Sequence, residues 1–566
     1  MNFMRECLFI LSFILFYIKA YSQDCDCDHT ILNLSANSIN VINSSSFNYN
    51  PGDTFCIPEG NYAGIRLVGF KGTKVAPLKF INCGGKVTFS DPVYPGVDIK
   101  NSNYIRFTGS GDTAIMYGFQ VVNAPSSGLA VASFSSDIEV DHVEVQNVGF
   151  AGIIAKTEPT CSDPATWRRN GFIMRNLNIH DNYVHDTHGE GIYIGNTNGY
   201  KVYTKMHCDG SPVFPHWLEN VSVHHNKFEN IGWDGIQLNQ VLSNGKVFNN
   251  TVIGYGIQRS GNQDFAMSIG AGVYQIYNNY LENTDQGKGM QFISAQSGTK
   301  IFNNVLINPK SFGIFIHSRH ELDDVTEGYF VMNNTIVNPE KSGVQLITQI
   351  KHSFDSNLID VLQNDTPSYF INNVILNPGN TYEKFGTWKG VPENYIDFNT
   401  PETRDKMLLN IKTNIFTKQT ETVGFEDVIS NNYKPLNINS LVVNKGTDVS
   451  SYGVNFDFES LSRPQGEGFD IGAYEFKETI VLGVDDVIFK KANFYKINNT
   501  RTLQFLRLKE GGNFLQIFNI LGQNVFKMNL KAVGNFNLDL PNLLSGVYIV
   551  KLSTLTGIMS KKIIIE

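Results

Sequence analysis

A short phrase built around paired asparagines recurs through this chain, and it constrains the fold more than any other feature. Seven copies occur at intervals of 24 to 44 residues, among them VFNNTVIG ending at Gly254 and IFNNVLIN ending at Asn308. The aligned asparagines are Asn182, Asn226, Asn250, Asn279, Asn304, Asn334 and Asn373. Recurrence at about 20–50 residues indicates a repeat architecture, in which one structural unit stacks along an axis.

Each repeat also holds short runs in which apolar residues alternate, and no helical periodicity lies between them. Examples are GIYIGNT from Gly191, GIQLNQ from Gly235 and GIFIHSR from Gly313, separated by turns rich in Gly and Asn. Runs of about five residues with a period of two are typical of β-strands. Short strands at this repeat length, without helices, predict an all-β right-handed parallel β-helix. The aligned asparagines are then expected to form an internal ladder between coils, as scaffold.

The first 22 residues resemble a secretory signal. Arg5 precedes the apolar run LFILSFILFYI, and the small residues Ala20 and Ser22 flank Tyr21 at a cleavage site. The run is too short to span a membrane comfortably, and no later segment is apolar enough to cross one. We therefore expect residues 1–22 to be a signal peptide, with a buried first helix as the alternative reading.

Six cysteines remain after this segment, and an even number in an exported chain permits disulfides. Cys161 and Cys208 fall in two long excursions from the repeats and are a plausible pair. Six buried free thiols are the alternative. The six are Cys25, Cys27, Cys56, Cys83, Cys161 and Cys208.

Composition places the chain among well-packed proteins. Aromatic residues make up 12% of it and charged residues 17%, unlike a disordered chain. The formal net charge of -8 argues against general nucleic-acid binding, which relies on Lys and Arg. We expect a monomer with no nucleic-acid partner.

The repeat alignment brings charged residues of neighbouring coils into one column. Buried charges are costly unless they are paired, so we expect this column to line a wet groove. A structural Glu–Lys network on the surface is the alternative. The residues just before the recurring glycines are Glu190, Asp234, Phe265, Lys288, Phe312 and Ser342, with Asp264 one place off the column.

Outward positions beside this column carry aromatic, amide and imidazole side chains. Aromatic rings stack on sugars and amides bond hydroxyl groups, while a solenoid offers an elongated surface that suits a chain ligand. Two long excursions, residues 155–172 and 196–218, would wall the groove. A polysaccharide is therefore the expected partner. The candidate substrate-binding residues are Tyr193, Trp233, Gln237, Gln291, His317 and His320.

The favoured chemistry is β-elimination on a polysaccharide that contains uronic acid. This reaction needs a cation to neutralise the uronate, a base for the C5 proton and an acid for the leaving oxygen. Glu190, Asp234 and Asp264 are the candidate Ca²⁺ ligands, because calcium prefers several hard oxygen ligands. Lys288 is the candidate base. Arg319 is expected to bind the substrate carboxylate or to assist catalysis.

Two other functions fit the same residues. Glu190 and Asp234 on adjacent coils would lie roughly 5 Å apart at the backbone, which suits a glycoside hydrolase with paired carboxyl groups. His188 lies two residues before Glu190 and is a candidate base or orienting group. A non-enzymatic glycan-binding surface protein is the third possibility.

Two phrases near the start resemble known enzymes. PGDTFCIPEGNY from Pro51 and GTKVAPLKFINCGG from Gly72 resemble the first coils of pectate-lyase-like β-helix enzymes, and the second is similar to the opening of the chondroitinase-B and alginate-lyase family. The resemblance implies acidic calcium ligands beside a Lys or Arg. It does not extend to the catalytic motifs of those lyases, and the acidic triplets of polygalacturonases are absent.

The end of the chain contains two further motifs. RPQGEGFDIGAYEF, residues 463–476, resembles the closing motif of secreted bacterial β-helix proteins and is expected to cap the solenoid or end its last strand. The solenoid then covers residues 23–476, followed by a linker at 477–486. Residues 487–566 read as alternating strands of a small β-sandwich.

This last unit resembles the C-terminal sorting domain of the Bacteroidetes type IX secretion system. The resemblance rests on LPNLLSGVYIVKLS from Leu540 and on the terminal KKIIIE from Lys561. It implies export through the periplasm of a Gram-negative bacterium, with the type IX machinery as a partner and a secreted or cell-surface product. A carbohydrate-binding sandwich is the alternative.

Overall fold

The structure is a computed structural model of the chain. The predicted signal peptide, residues 1–22, and all but the first residue of the predicted linker at 477–486 lie outside the described residues. Two compact units are present, Met1–Phe476 and Lys477–Glu566. The structure describes residues 25–90, 94–168, 170–197, 207–295, 298–318, 328–348, 367–379, 395–398, 408–477, 493–497, 500–508, 513–531, 533–541, 543–554 and 557–565.

The first unit is a parallel β-helix. Within the described part of this unit, 34 strands form one continuous parallel sheet. The sheet wraps around the axis as three faces that we name A, B and C. Each strand pairs with the equivalent strand of the next coil; on face C, for example, Ile192 pairs with Ile236 and Ile236 pairs with Met267. The predicted all-β solenoid is confirmed.

The strands of each face follow the order of the chain, and three long strands bend from one face into the next. Face A contains His29–Thr30, Thr54–Tyr62, Leu78–Phe89, Asn103–Thr108, Ser136–Asp141, Ile173–His180, Trp217–His224, Val241–Phe248, Phe265–Tyr277, Lys300–Phe302, Phe330–Met332, Ser368–Ile371 and Leu409–Lys412. Face B contains the ends of Thr54–Tyr62 and Leu78–Phe89, then Phe119–Val122, Val143–Gln146, Tyr183–Thr187, Lys227–Ile231, Thr251–Ile253, Tyr280–Glu282, Val305–Ile307, Thr335–Val337, Val374–Leu376 and Ile415–Thr417. Face C contains Asn40–Asn43, Ile65–Val68, Val97–Lys100, Leu129–Ala132, Ile153–Ala155, Ile192–Ile194, Ile236–Leu238, the start of Phe265–Tyr277, Lys288–Ala295, Lys310–Ser318, Val344–Thr348 and Ile396–Phe398.

The asparagine ladder runs inside the corner between faces A and B. The backbone N–H and the side-chain amide of Asn279 both donate to Asn304 Oδ1, at 3.1 and 2.9 Å. The same side-chain amide also donates to the carbonyl of Val247 in the preceding coil, at 2.9 Å. The predicted ladder from Asn182 to Asn373 is therefore present, and Asn414 extends it by one more coil.

The first asparagine of each pair has a different role. Asn278 and Asn303 have φ values of 53° and 54°, in the left-handed region that Asn adopts more readily than most residues. These residues turn the chain sharply from face A to face B. The phrase recurs because one asparagine makes the turn and the next joins the coils.

The recurring glycine at the start of each face C strand lies against the core. A Cβ at Gly235 would lie 2.7 Å from Val252 Cγ1, and one at Gly191 would lie 2.8 Å from Phe228 Cδ1. Any larger residue would clash with side chains from face B. Because successive residues of an extended chain point to opposite sides, the residue before each glycine is directed outward.

The segment after the last coil packs along the side of the solenoid. Asn303 and Asn333, at the corner between faces A and B, donate side-chain amides to backbone carbonyls of this segment. Arg463 and Glu475 form a fully buried ion pair within it. The motif at 463–476, which we expected to cap the solenoid or end its last strand, instead covers outward apolar residues of faces A and B in the later coils.

The second unit is a small β-sandwich, as predicted. A single apolar cluster, which includes Phe505, Leu515 and Val550, joins its two antiparallel sheets. One sheet contains Asn493–Lys496, Thr502–Leu508 and Gly534–Asp539, and the other contains Asn524–Leu530, Asn513–Asn519, Gly546–Thr554 and Gly557–Ile565.

Candidate active site

The register of face C confirms the predicted column of residues. Glu190 stacks on Asp234, and Asp234 stacks on Phe265 in the following coils. Phe265 pairs in turn with Lys288. Glu190, Asp234, Phe265 and Lys288 therefore occupy four consecutive coils at the corner between faces B and C, although 98 residues separate the first from the last.

Glu190 is a fully buried carboxyl group, with 0% of the residue exposed. Its Oε1 accepts a hydrogen bond from the side-chain amide of Gln263 at 3.1 Å. Its Oε2 has no hydrogen-bond partner among the described residues. Burial raises the pKa of Glu190 to about 7, although the positive charge of Lys156 acts to lower it.

Asp234 is equally buried on the next coil, with 1% of the residue exposed. Its Oδ1 accepts a hydrogen bond from the backbone N–H of Phe265 at 2.8 Å. Burial raises the pKa of Asp234 well above its ordinary value, and the negative charges of Glu190 and Asp264 raise it further. Two carboxyl groups thus share one apolar environment, where ionising both is unfavourable.

These carboxyl groups do not line the wet groove that we expected from the sequence. The loop at residues 256–264 of a later coil carries Gln263, whose side-chain amide contacts Glu190. Lys288 is the more accessible member of the column, with 27% of its side chain exposed. Glu190 and Asp234 are therefore shielded from solvent, whereas Lys288 is partly exposed.

Lys288 is fixed in place by the same loop. Its Nζ donates to Asp264 Oδ1 at 2.9 Å and to the Gly261 carbonyl at 2.7 Å. The ammonium group also lies 5.1 Å from the ring centroid of Phe265. A role for Lys288 as the base of an elimination requires it to leave two acceptors, whereas a role in fixing the loop does not.

The predicted calcium ligands Glu190, Asp234 and Asp264 do not gather around one point. Each carboxyl group has its own partner, and calcium needs several oxygens that converge. Among the residues that the structure describes, groups of three or more His, Cys, Asp or Glu ligand atoms within 4.8 Å occur elsewhere. They are Cys25, Cys27 and Cys83, and Glu139, Asp141 and His180. The residues at the column do not fit a calcium ion in this arrangement.

Lys156 and Gln263 are site residues that the sequence analysis missed. The Nζ of Lys156 lies 4.4 Å from the ring centroid of Tyr193 and 2.5 Å from Glu158 Oε1, and its charge acts on Glu190. Neither residue lies in a repeated strand, so the alignment of coils could not find them. The one signal for Lys156 is its position as the residue directly after the strand Ile153–Ala155.

Aromatic side chains form a wall beside the two carboxyl groups. Phe150 contacts Tyr193 and Trp233 edge-on, with ring centroids 6.1 and 5.9 Å apart. Tyr193 and Trp233 were both predicted to bind substrate, and the structure brings them together through Phe150, which was not predicted. This wall suits the apolar face of a sugar.

The predicted amides lie in the outward column of face C. The Gln237 side-chain amide donates to Thr197 Oγ1 at 3.0 Å, and the Gln291 amide donates to Ser268 Oγ at 2.6 Å. Gln237 Oε1 has no hydrogen-bond partner among the described residues. Gln237 is therefore oriented by one bond and keeps an acceptor oxygen.

The predicted histidines are more dispersed. The side chain of His188 is exposed, and its ring centroid lies 6.5 Å from that of Trp233. His317 is buried farther along face C, 6.0 Å from the Phe315 ring. Arg319 and His320 lie outside the described residues.

The two long excursions are joined to each other. A disulfide links Cys161 to Cys208, which confirms that predicted pair. The backbone N–H of Thr157 donates to His216 Nε2 at 2.9 Å, and Trp167 packs with Cys208. The remaining cysteines pair as Cys25 with Cys83 and Cys27 with Cys56.

Comparison with solved structures finds similar folds among enzymes that act on polysaccharides. A PL6 family polysaccharide lyase from Pseudopedobacter saltans is 10% identical, with a TM-score of 0.33 over 65% of this chain and 92% of that chain. The catalytic domain of a GH87 alpha-1,3-glucanase in complex with nigerose is 14% identical, with a TM-score of 0.29 over 69% of each chain. No curated protein matches the chain.

The family of the secretion system C-terminal sorting domain matches residues 495–566. Among the described residues, no helix is long and apolar enough to span a membrane. The second unit is thus a sorting domain, as its resemblance implied. The chain is a type IX secretion substrate, which is secreted or attached to the cell surface.

Proposed function

We propose that this protein is a glycoside hydrolase that cleaves a polysaccharide with the carboxyl groups of Glu190 and Asp234. One observation carries the proposal: Glu190 Oε2 is buried without a hydrogen-bond partner among the described residues, and a second buried carboxyl group lies on the next coil. Glycosidases use two carboxyl groups that flank the scissile bond, one as an acid and one as a base or nucleophile.

Glu190 is assigned as the general acid. A catalytic acid works best when its pKa is near the working pH, because it must hold a proton and release it in the transition state. Burial raises the pKa of Glu190 to about 7, which meets this requirement. The proton is assigned to Oε2, since Oε1 already accepts a hydrogen bond from Gln263.

Asp234 is assigned as the ionised partner. Burial raises its pKa as well, and ionising both carboxyl groups at once is unfavourable. The Phe265 N–H donates to Asp234 Oδ1, and such a bond stabilises a carboxylate. The ionised group can then activate a water or attack the sugar directly, according to the space between the two carboxyl groups.

A polymeric substrate is favoured by the shape and location of the site. The aromatic wall of Phe150, Tyr193 and Trp233 continues along a solenoid face, and an elongated face matches a chain ligand better than a monosaccharide. Export through type IX secretion places the protein where extracellular polysaccharides occur.

β-Elimination on an anionic polysaccharide is the second candidate, and one observation favours it. The charges of Lys288 and Lys341 act on each other across face C, and Lys341 lies 5.9 Å from the ring centroid of Phe312. Two cations, each beside its own aromatic ring, would suit a uronate. The ion pair between Lys288 and Asp264 weighs against the use of Lys288 as the base.

The assignment of Glu190 is tested with Glu190→Gln, which keeps the shape and removes the proton. Loss of a general acid costs about 10²–10⁴-fold in rate, so we expect release of reducing ends to fall by at least 10²-fold. Glu219→Gln is the matched control, because Glu219 pairs with Arg175 on face A, and it should keep full activity. A fully active Glu190→Gln would remove Glu190 from the mechanism.

A further inference from the structure

Two buried side-chain oxygens mark the candidate site. Glu190 Oε2 and Gln237 Oε1 are without a hydrogen-bond partner among the described residues. Glu190 is 0% exposed and Gln237 is 2% exposed. Because buried polar atoms are nearly always hydrogen-bonded, two unpartnered oxygens in one site point to a ligand. The protonated Oε2 of Glu190 can donate to that ligand, whereas Gln237 Oε1 can only accept from it.

The two oxygens belong to one surface. Gln237 lies on the coil after Glu190, in the outward column that also contains Tyr193. The Gln237 side-chain amide donates to Thr197 Oγ1, which is also 2.7 Å from the Tyr193 hydroxyl. This small network fixes the amide group and leaves its oxygen as the atom available to a ligand.

The cation nearest to this surface already has a partner. Lys156 contacts the Tyr193 ring and forms an ion pair with Glu158 at 2.5 Å. An anionic group at this position would meet one acidic side chain, one amide oxygen and a cation that is already neutralised. Carboxylates and sulfates have only acceptors to offer, so such a group would leave Gln237 Oε1 unsatisfied.

We infer that the sugar bound here is neutral and donates a hydroxyl group to Gln237 Oε1, beside the protonated carboxyl group of Glu190. The inference rests on the proposed function and adds a substrate class to it: a polysaccharide of neutral sugars at the site of cleavage. A site built to bond a hydroxyl group discriminates strongly against an analogue that lacks the donor, because its own buried acceptors are then left unpaired.

The test is binding of oligosaccharides to the full chain, measured by isothermal titration so that it does not depend on turnover. Neutral oligosaccharides of several linkages are compared with oligouronides of equal length. We expect the neutral series to contain the tightest ligand, and Gln237→Met to bind that ligand at least about tenfold more weakly. Gln237→Leu provides the same test if the methionine variant does not fold.

Gln345→Met is the matched control, because Gln345 is a buried glutamine in the same outward column on a later coil. It should bind the neutral ligand as the wild type does. Tighter binding of oligouronides, no binding of any neutral oligosaccharide, or unchanged binding by Gln237→Met would each overturn the inference. Neutral binding that depends on Gln237 without any cleavage would overturn the proposed function and leave the inference standing.

Discussion

The side-chain amide of Gln263 donates to Glu190 Oε1 at 3.1 Å, although 73 residues separate the two in the sequence. The loop that carries Gln263 belongs to a later coil, so it closes over a carboxyl group that the solenoid alone would leave open. The contact occupies one oxygen of Glu190 and leaves the other for a ligand. It turns an outward residue of a repeat protein into a buried acid.

The fall in enzymatic activity at high pH should reflect the loss of the proton from Glu190. With the pKa of Glu190 raised to about 7, kcat/KM should fall above about pH 7, as the acid loses its proton. Lys156→Met should move this fall to higher pH, because the charge of Lys156 lowers the pKa of Glu190. Lys156→Arg keeps the charge and should leave the fall in place. A fall at the same pH in Lys156→Met would contradict the coupling.

The stability of the solenoid should depend on pH through the same residue. The pKa of Glu190 rises from an ordinary 4.5 to about 7 on folding, so the folded state binds the proton more tightly. The contribution of Glu190 to stability is then greatest below pH 4.5 and is lost as the pH rises through 7. One pKa unit corresponds to about 1.4 kcal/mol, so the loss is about 3 kcal/mol.

Glu190→Gln supplies the comparison for this effect. Urea unfolding of the wild type and the variant at several pH values should show their free energies of unfolding diverge by about 3 kcal/mol between pH 4.5 and pH 7, in favour of the variant. Parallel curves for the two proteins would show that Glu190 has an ordinary pKa.

The asparagine ladder should contribute measurably to stability. Asn279→Ala leaves the N–H of Asn250 and the carbonyl of Val247 without their partners. Each buried unsatisfied group costs about 1–3 kcal/mol, so we expect a clear fall in the thermal midpoint. Asn37→Ala, at an exposed loop residue, should change it little. Equal midpoints for the two variants would refute a structural role for the ladder.

The disulfide between the excursions should stabilise the folded chain. Cys161 and Cys208 are 47 residues apart, and cross-linking a loop of that length restricts the unfolded state by about 4 kcal/mol in the chain-entropy treatment. The double variant Cys161→Ser, Cys208→Ser should therefore unfold at a lower temperature in calorimetry. The same variant with an unchanged midpoint would mean that the pair does not form.

Much of the fold could be predicted from the sequence, because every coil has the same backbone geometry and therefore needs the same residue types at equivalent positions. Asn278 and Asn279 reveal the turn and the ladder, and Gly235 marks where a strand lies against the core. The period also set the register that stacked Glu190 on Asp234. These features are local to each coil, so alignment of the copies was sufficient to find them.

The rest of the site depends on segments that do not repeat. Lys156 and Gln263 come from connections between strands, and the burial of Glu190 depends on where the loop at 256–264 lies. The sequence therefore predicted a wet groove where the structure has a buried pair of carboxyl groups. The position of the motif at 463–476 was predicted wrongly for the same reason. It depends on outward apolar residues in the later coils of the solenoid.

The most direct test of the central claim is the chemical nature of the product. The wild-type protein is incubated with a panel of neutral and anionic polysaccharides, and both reducing ends and the ultraviolet absorbance of an unsaturated sugar are followed. Hydrolysis by Glu190 and Asp234 predicts reducing ends without that absorbance. Products that carry the unsaturated sugar would contradict the account and favour β-elimination instead.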